Sequence, residues 1–167
     1  MSLSAVDEDD RPALEVAAAV SDIMHYFGAP PEPGGELEFF RRRWEEGVAA
    51  AFAIRVGGES VGVVLLEPRA QGYADLGYWL LPDARGRGYA SRAVRLVATW
   101  ALRTMGFPRV QLWASPDNKR SQRVAVLSGF KYQGRLRKYD VEPSDARVDA
   151  LFFSLVPEDL TESAGDN

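Results

Sequence analysis

Residues 76–105 constrain this chain more tightly than any other stretch. They read Leu76-Gly77-Tyr78-Trp79-Leu80-Leu81, then Pro82-Asp83-Ala84-Arg85-Gly86-Arg87-Gly88-Tyr89-Ala90, then an apolar-striped run to Met105. Ala90, Ala93, Val94, Val97, Ala98, Ala101, Leu102 and Met105 recur at helical spacing, with Arg92, Arg95, Thr99 and Arg103 on the other face. The pattern predicts a strand, a short glycine- and arginine-rich loop, and a helix over 89–105. A helix start carries unpaired N–H groups and the positive end of the dipole, so such a loop holds an anion. Gly86 and Gly88 let the backbone approach that ligand with no Cβ in the way. The loop is not a nucleotide P-loop, since Gly-x-x-x-x-Gly-Lys-Ser/Thr is absent. Nor is it a dinucleotide fingerprint, because Ser91 stands where the third glycine belongs.

Composition narrows the chemistry further. The chain has 167 residues, enough for one domain with its own core, expected over 1–156. It has no cysteine and one histidine, His25. Disulfides, thiolate metal sites, a cysteine nucleophile and a histidine cluster are excluded, and no metal is expected. No apolar run approaches the ~20 residues of a membrane span. Asp7, Glu8, Asp9 and Asp10 stand where a secretory signal would need a basic start, so the expectation is a cytoplasmic protein without a membrane partner. Charge is uneven along the chain. Residues 85–147 hold 14 Arg/Lys against 4 Asp/Glu, whereas residues 1–84 hold 6 against 15. The basic segment is either a solvated face or the seat of a polyanionic ligand. The acidic remainder, and the lack of an RNA-recognition signature, favour a small localised anion over nucleic acid.

The remaining pattern predicts a mixed α/β chain. Residues 3–6 read as a short strand. The acidic run and Pro12 open a helix through Leu14, Val16, Ala17, Ala18, Val20 and Ile23 to about Phe27, stopped by Gly28 and the Pro/Gly-rich stretch 29–35. A second helix over 36–46 puts Leu37, Phe40 and Trp44 on one stripe and leaves Arg41-Arg42-Arg43 solvated. Strands 50–56 and 60–66 meet at Gly57-Gly58, a hairpin signal. A strand over 73–81, the helix 89–105, a strand over 110–114 and a helix over 118–128 follow. Gly129 stops that last helix. Strands 130–137 and 148–156 flank a polar connection containing Pro143, and 157–167 read as a disordered tail.

Two motifs carry a family resemblance. Arg85-Gly86-Arg87-Gly88-Tyr89-Ala90 fits Arg/Gln-x-x-Gly-x-Gly/Ala and resembles the acetyl-CoA pyrophosphate loop of the GNAT N-acetyltransferase superfamily. Asn118-x-x-Ser121, Val124, Gly129-Phe130 and Gly134 resemble the second conserved region of its branch that acetylates ribosomal-protein N-termini. The resemblance covers about 3–156, is best over 73–156, and is loosest in the amino-terminal part that usually shapes the acceptor pocket. It implies the GNAT fold, a mostly antiparallel sheet with splayed strands flanked by about four helices. It also implies acetyl-CoA as acyl donor and a primary amine as acceptor: a protein N-terminus, a small amine or an aminoglycoside-like compound. Both a monomer and a homodimer are compatible with it.

Acetyl transfer to an amine needs a base for the amine, a donor for the oxyanion and a proton for the departing thiolate. The resemblance implies that acetyl-CoA lies between strands 73–81 and 110–115. Its pantetheine arm then bonds the backbone of Trp79, Leu80 and Leu81, and one of those N–H groups polarises the thioester. The pyrophosphate sits on the backbone of Arg85, Gly86, Arg87, Gly88, Tyr89 and Ala90. The Arg85 and Arg87 side chains either add charge there or are exposed loop charges. Asn118 is implied as a pantetheine contact, its other reading being a helix cap. Ser121, one turn on, is implied near the sulfur as the thiolate's proton donor, its other reading being a small residue at a helix–strand contact. Asp140 aligns with a glutamate proposed as general base in the branch, one methylene shorter. Glu142 is the near alternative, and a solvated loop carboxylate is the other reading of both. Asp149 lies in an apolar run, where it needs a partner, and reads as structural. Tyr132 and Tyr139 read as packing, with action on the thiolate or amine as the alternative. His25 reads as a surface or cap residue and the four tryptophans as core or pocket wall. The rival function is a GNAT-fold sensor that binds acyl-CoA and transfers nothing.

Overall fold

The computed structural model describes residues 1–21, 23, 35–141 and 146–162, the side chains of 161 and 162 excepted. Its elements are β1 (Ser2–Ala5), α1 (Arg11–Ala18), α2 (Glu36–Glu45), β2 (Ala50–Val56), β3 (Glu59–Pro68), β4 (Ala74–Leu80), α3 (Tyr89–Arg103), β5 (Val110–Ala114), α4 (Lys119–Leu127), β6 (Lys131–Val141), β7 (Arg147–Leu155) and α5 (Asp159–Glu162). Short 3-10 turns occupy Glu8–Asp10 and Pro82–Ala84. The sheet runs β1-β2-β3-β4-β5-β7-β6. The pairs β1–β2, β2–β3, β5–β7 and β6–β7 are antiparallel. The pair β4–β5 is parallel, at Ala74–Val110 and Asp75–Gln111. This is the mixed α/β class that the sequence pattern predicts. The backbone forms two compact units: Met1–Pro68 with Gly77–Ala93, and Arg69–Leu76 with Val94–Asn167.

In the first unit, Gly57 and Gly58 join β2 to β3 with φ of 64° and 94°, the doubly left-handed turn that suits a right-twisted hairpin. Ala51 and Ala53 of β2, Val63 and Leu65 of β3, and Trp79 of β4 present one sheet face. Leu14 and Ala17 of α1, Ile23, and Leu37 and Phe40 of α2 pack onto it. Three expectations are corrected here and one is extended. Helix α1 closes at Ala18 rather than near Phe27, because Ala19 and Val20 donate three residues back, to Val16 and Ala17. Residues 24–34, His25 among them, lie outside the described residues. The acidic run does more than favour a dipole. Asp7 and Asp10 form a capping box around the first turn, and the fully buried Asp10 carboxylate accepts from Arg55 of β2 at 3.0 Å. Arg43 is no solvated residue, since it pairs with Glu67 and lies 5.1 Å over the Phe39 ring. Trp44, expected on the apolar stripe, is 43% exposed and meets Phe52 edge-on at 5.4 Å.

In the second unit, β5 and β7 pair Leu112 with Phe153 and Trp113 with Phe152. Helix α3 stops at Arg103, because Gly106 turns left-handed (φ 75°) and the Phe107 N–H reaches back to the Ala101 carbonyl. Met105 therefore falls past the helix and is 54% exposed, although its spacing put it on the stripe. Gly129 (φ 89°) ends α4 in the same way, with the Phe130 N–H on the Ala125 carbonyl. The expected tail is ordered at its start. Asp159 of α5 pairs with Lys131 at 2.7 Å and accepts the Val156 N–H at 3.1 Å, and Leu160 is buried. Residues 163–167 lie outside the described residues.

Leu37 is 1% exposed at the centre of the first unit's core. Leu37→Ala is expected to cost about 2–5 kcal/mol of unfolding free energy, read as a fall in the urea midpoint at unchanged slope.

Candidate active site

The loop after β4 has the backbone that an anion needs. Gly86 and Gly88 both hold φ of 75°, and a Cβ on either would meet nothing within 4 Å. Conformation, not space, demands glycine at both positions. The Arg92 N–H bonds the Gly88 carbonyl at 3.2 Å, the first helical bond of α3. The amides of Tyr89 and Ala90 precede it, at the positive end of a fifteen-residue helix. Ala90 is buried and anchors the helix start, while Tyr89 is half-buried under the Arg92 guanidinium, 5.2 Å above its ring.

The two loop arginines behave differently. Arg87 is exposed. Arg85 folds back, and its Nε donates to the Leu80 carbonyl at 3.0 Å. It braces the loop onto the end of β4, a role that its sequence position did not suggest. On that strand end, Trp79 and Leu80 are both buried and Leu81 is half-buried. The Leu81 N–H is tied to the Val61 carbonyl of β3 at 2.9 Å. The first unit thus brings together Trp79, Leu80, Leu81, Arg85, Gly86, Arg87, Gly88, Tyr89 and Ala90.

The second unit holds the other candidates. Asn118 is the cap of α4, its Oδ1 accepting the Ser121 N–H at 3.0 Å, so the two residues share the first turn. The Asn118 carboxamide NH2 remains as a donor. Gln122, which no motif singled out, donates to the carbonyls of Ser115 and Pro116 at 3.0 and 2.8 Å and locks the β5–α4 turn. Its only sequence signal is its place one residue after the serine.

Asp140 lies on β6 opposite Val148 of β7 and is half-buried. Glu142 lies outside the described residues. Before Asp140 the register slips between Leu136 and Asp140, and Lys138 takes a φ of 52°, rare for a residue with a side chain. Asp149 holds this bulge: it accepts the Lys138 N–H at 2.9 Å and the Arg135 Nε at 2.6 Å. Its structural reading stands. The bulge lays the Tyr139 ring edge-on against Phe152 (4.8 Å) and Trp113 (5.9 Å). Burial, then the charge of Asp75, raises the Tyr139 phenol above its ordinary value, so it stays protonated at neutral pH. Tyr132 packs edge-on against Phe153 at 5.5 Å. Among the described residues, no group of three His, Cys, Asp or Glu side chains could hold a metal ion, and no helix is long and apolar enough to cross a membrane.

A family model described as an acetyltransferase (GNAT) domain matches residues 1–131. A relative in Bacillus subtilis (strain 168), named the uncharacterized N-acetyltransferase YoaA, is 23% identical over 146 residues, 82% of each chain. A structure of RimL, a ribosomal L7/L12 alpha-N-protein acetyltransferase in complex with coenzyme A, shares the fold with a TM-score of 0.79 at 21% identity over 92% of each chain. The spermidine N-acetyltransferase from Vibrio cholerae, in complex with CoA and spermine, does so with a TM-score of 0.81 at 17% identity. It covers 96% of this chain and 97% of that one.

Asp149 also gives the bulge a pH signature. The Lys138 N–H, then the Arg135 guanidinium, hold its carboxyl below the ordinary range. A carboxylate depressed in the folded state stabilises above its unfolded value, about 4, and loses that contribution as pH falls through the folded value. Asp149→Asn is expected to melt below wild type at pH 7, the gap closing on acidification below about pH 4. A gap that is constant with pH would contradict this.

Proposed function

The chain belongs to the GNAT acetyltransferase family, and on that premise we propose that it transfers an acetyl group from acetyl-CoA to a primary amine by direct attack in a ternary complex. The observation that carries this reading is the backbone at 85–90, where two left-handed glycines open into the first turn of a long helix. A pyrophosphate is the anion such a turn accepts, and backbone amides supply most of the contact. The pantetheine arm follows the β4 end. There the Leu81 N–H is already engaged with β3, and by strand alternation the Leu80 N–H points the other way, toward the ligand. Arg87 adds charge at the phosphates, and Asn118 keeps the pantetheine-contact role that the family resemblance implies.

In the reaction the amine lone pair attacks the thioester carbon, and the carbonyl electrons move to oxygen, stabilised by a β4 amide. Collapse restores the carbonyl and breaks the C–S bond. The amine proton leaves to Asp140, directly or through water, and the thiolate takes a proton from the Ser121 hydroxyl, which solvent restores. The products are an N-acetylated amine and the free CoA thiol. The acceptor is a protein N-terminus, a small amine or an aminoglycoside-like compound. The acid excess in residues 1–84 supports a cationic one.

Calorimetric titration of acetyl-CoA tests the cofactor half. Wild type is expected to bind at about micromolar Kd, and Gly88→Trp, folded by circular dichroism, to lose that binding. No binding to wild type would sink the proposal. Thiol release with spermine or an N-terminal peptide tests the transfer half; binding without release would identify an acyl-CoA sensor. Ser121→Ala is expected to lower kcat about 100-fold with KM for acetyl-CoA nearly unchanged.

A further inference from the structure

Gly57, Gly58, Gly86 and Gly88 are glycines of conformation: φ is positive at each, and space is open around them. Gly62 is the reverse case. It lies within β3 opposite Ile54 with no positive φ, where any residue fits the backbone and glycine weakens the strand. What excludes a side chain is space. A Cβ on Gly62 would stand 2.2 Å from the Trp79 carbonyl oxygen, 2.7 Å from Leu80 Cδ2 and 3.1 Å from Leu80 Cα. The carbonyl belongs to the backbone and cannot swing aside as a side-chain tip can.

The peptide filling this notch joins Trp79 to Leu80. It is held from every side. The Trp79 ring is sunk in the core under α1 and α2, and the Leu80 side chain is buried. Arg85 holds the Leu80 carbonyl, and Val61 holds the Leu81 N–H. In a trans peptide the N–H points opposite to the C=O. With the Trp79 carbonyl lodged over Gly62, the Leu80 N–H faces away from β3.

We infer that Gly62 is a positioning residue for the acetyl donor: the side chain it lacks lets the Trp79 carbonyl turn in over β3, and this turns the Leu80 N–H out to polarise the thioester carbonyl. The inference rests on the reading that 79–81 hold the pantetheine arm. It adds which amide is the donor, and what aims it. An alanine at 62 pushes the Trp79 carbonyl back and rotates the Leu80 N–H off its aim. The loop at 85–90 keeps its left-handed glycines, so the pyrophosphate contacts stay.

The test compares two ligands on wild type and Gly62→Ala: acetyl-CoA, and 3′-phospho-ADP, the half of the cofactor that lacks pantetheine. Gly62→Ala is expected to weaken acetyl-CoA by about ten-fold or more and to leave 3′-phospho-ADP within about two-fold. Equal acetyl-CoA affinity in the two proteins would overturn the inference while leaving the proposed function intact. Equal loss of both ligands by a folded variant would overturn it too, as general damage to the unit. Failure of wild type to bind acetyl-CoA would remove the proposed function and this inference together. An experiment on the wild-type chain keeps the inference open to refutation should alanine prevent folding. In 15N-labelled protein, the Leu80 amide proton is expected to move downfield with acetyl-CoA and not with 3′-phospho-ADP. An unmoved Leu80 resonance would overturn the assignment.

Discussion

Trp79 and Leu80 are neighbours on one strand and both are buried, and because successive side chains leave on opposite faces, this strand end must be covered on both of them. The strand meets the demand by burying Trp79 under α1 and α2 and tucking the Leu80 backbone against a glycine in β3. The next residues inherit that geometry. Leu81 is tied to Val61, Pro82–Ala84 makes one tight turn, and Arg85 reaches back to Leu80. Only then do Gly86 and Gly88 aim the chain into α3. The glycine loop thus takes its place from the burial of a tryptophan several residues before it.

Much of this was readable beforehand, and the reasons are specific. Strand β5 was predicted to the residue, because Val110-Gln111-Leu112-Trp113-Ala114 alternates as a strand does. The Gly57-Gly58 turn needed no tertiary information either. What escaped has two different causes. Ala17-Ala18-Ala19-Val20 carries no breaker, yet α1 ends inside it. Met105 has the right spacing and the right chemistry, and lost its place because Gly106 closes the helix before it. At the site, the glycine loop was legible because glycine at those positions has a conformational cause. Gly62 was not, since its cause is a carbonyl far along the chain. Alternation counting cannot see the Lys138 bulge either, because lysine gives no sign that it will adopt a φ of 52°.

The basic segment is instructive in the same way. Its charge suggested a bound polyanion, and several of its members prove to have internal duties. Arg135 and the Lys138 amide hold Asp149, Lys131 holds Asp159, Arg109 lies 5.0 Å over the Tyr73 ring, and Arg85 caps Leu80. Charge counts along a sequence do not separate cations that face a ligand from those that stitch strands and turns. Their partners here are single carboxylates, a ring or a backbone atom, none of which a charge count registers.

Strand β6 closes the sheet on one side, and every sheet must stop somewhere. Here two slips of register break the ladder, and Lys131, Arg135, Arg137 and Lys138 stand exposed along it. An identical edge drawn alongside would bring Arg137 and Lys138 against their like and would find no straight row of backbone groups to pair with. Such a border makes the ribbon self-limiting, because a kinked and charged edge is a poor template for a further strand.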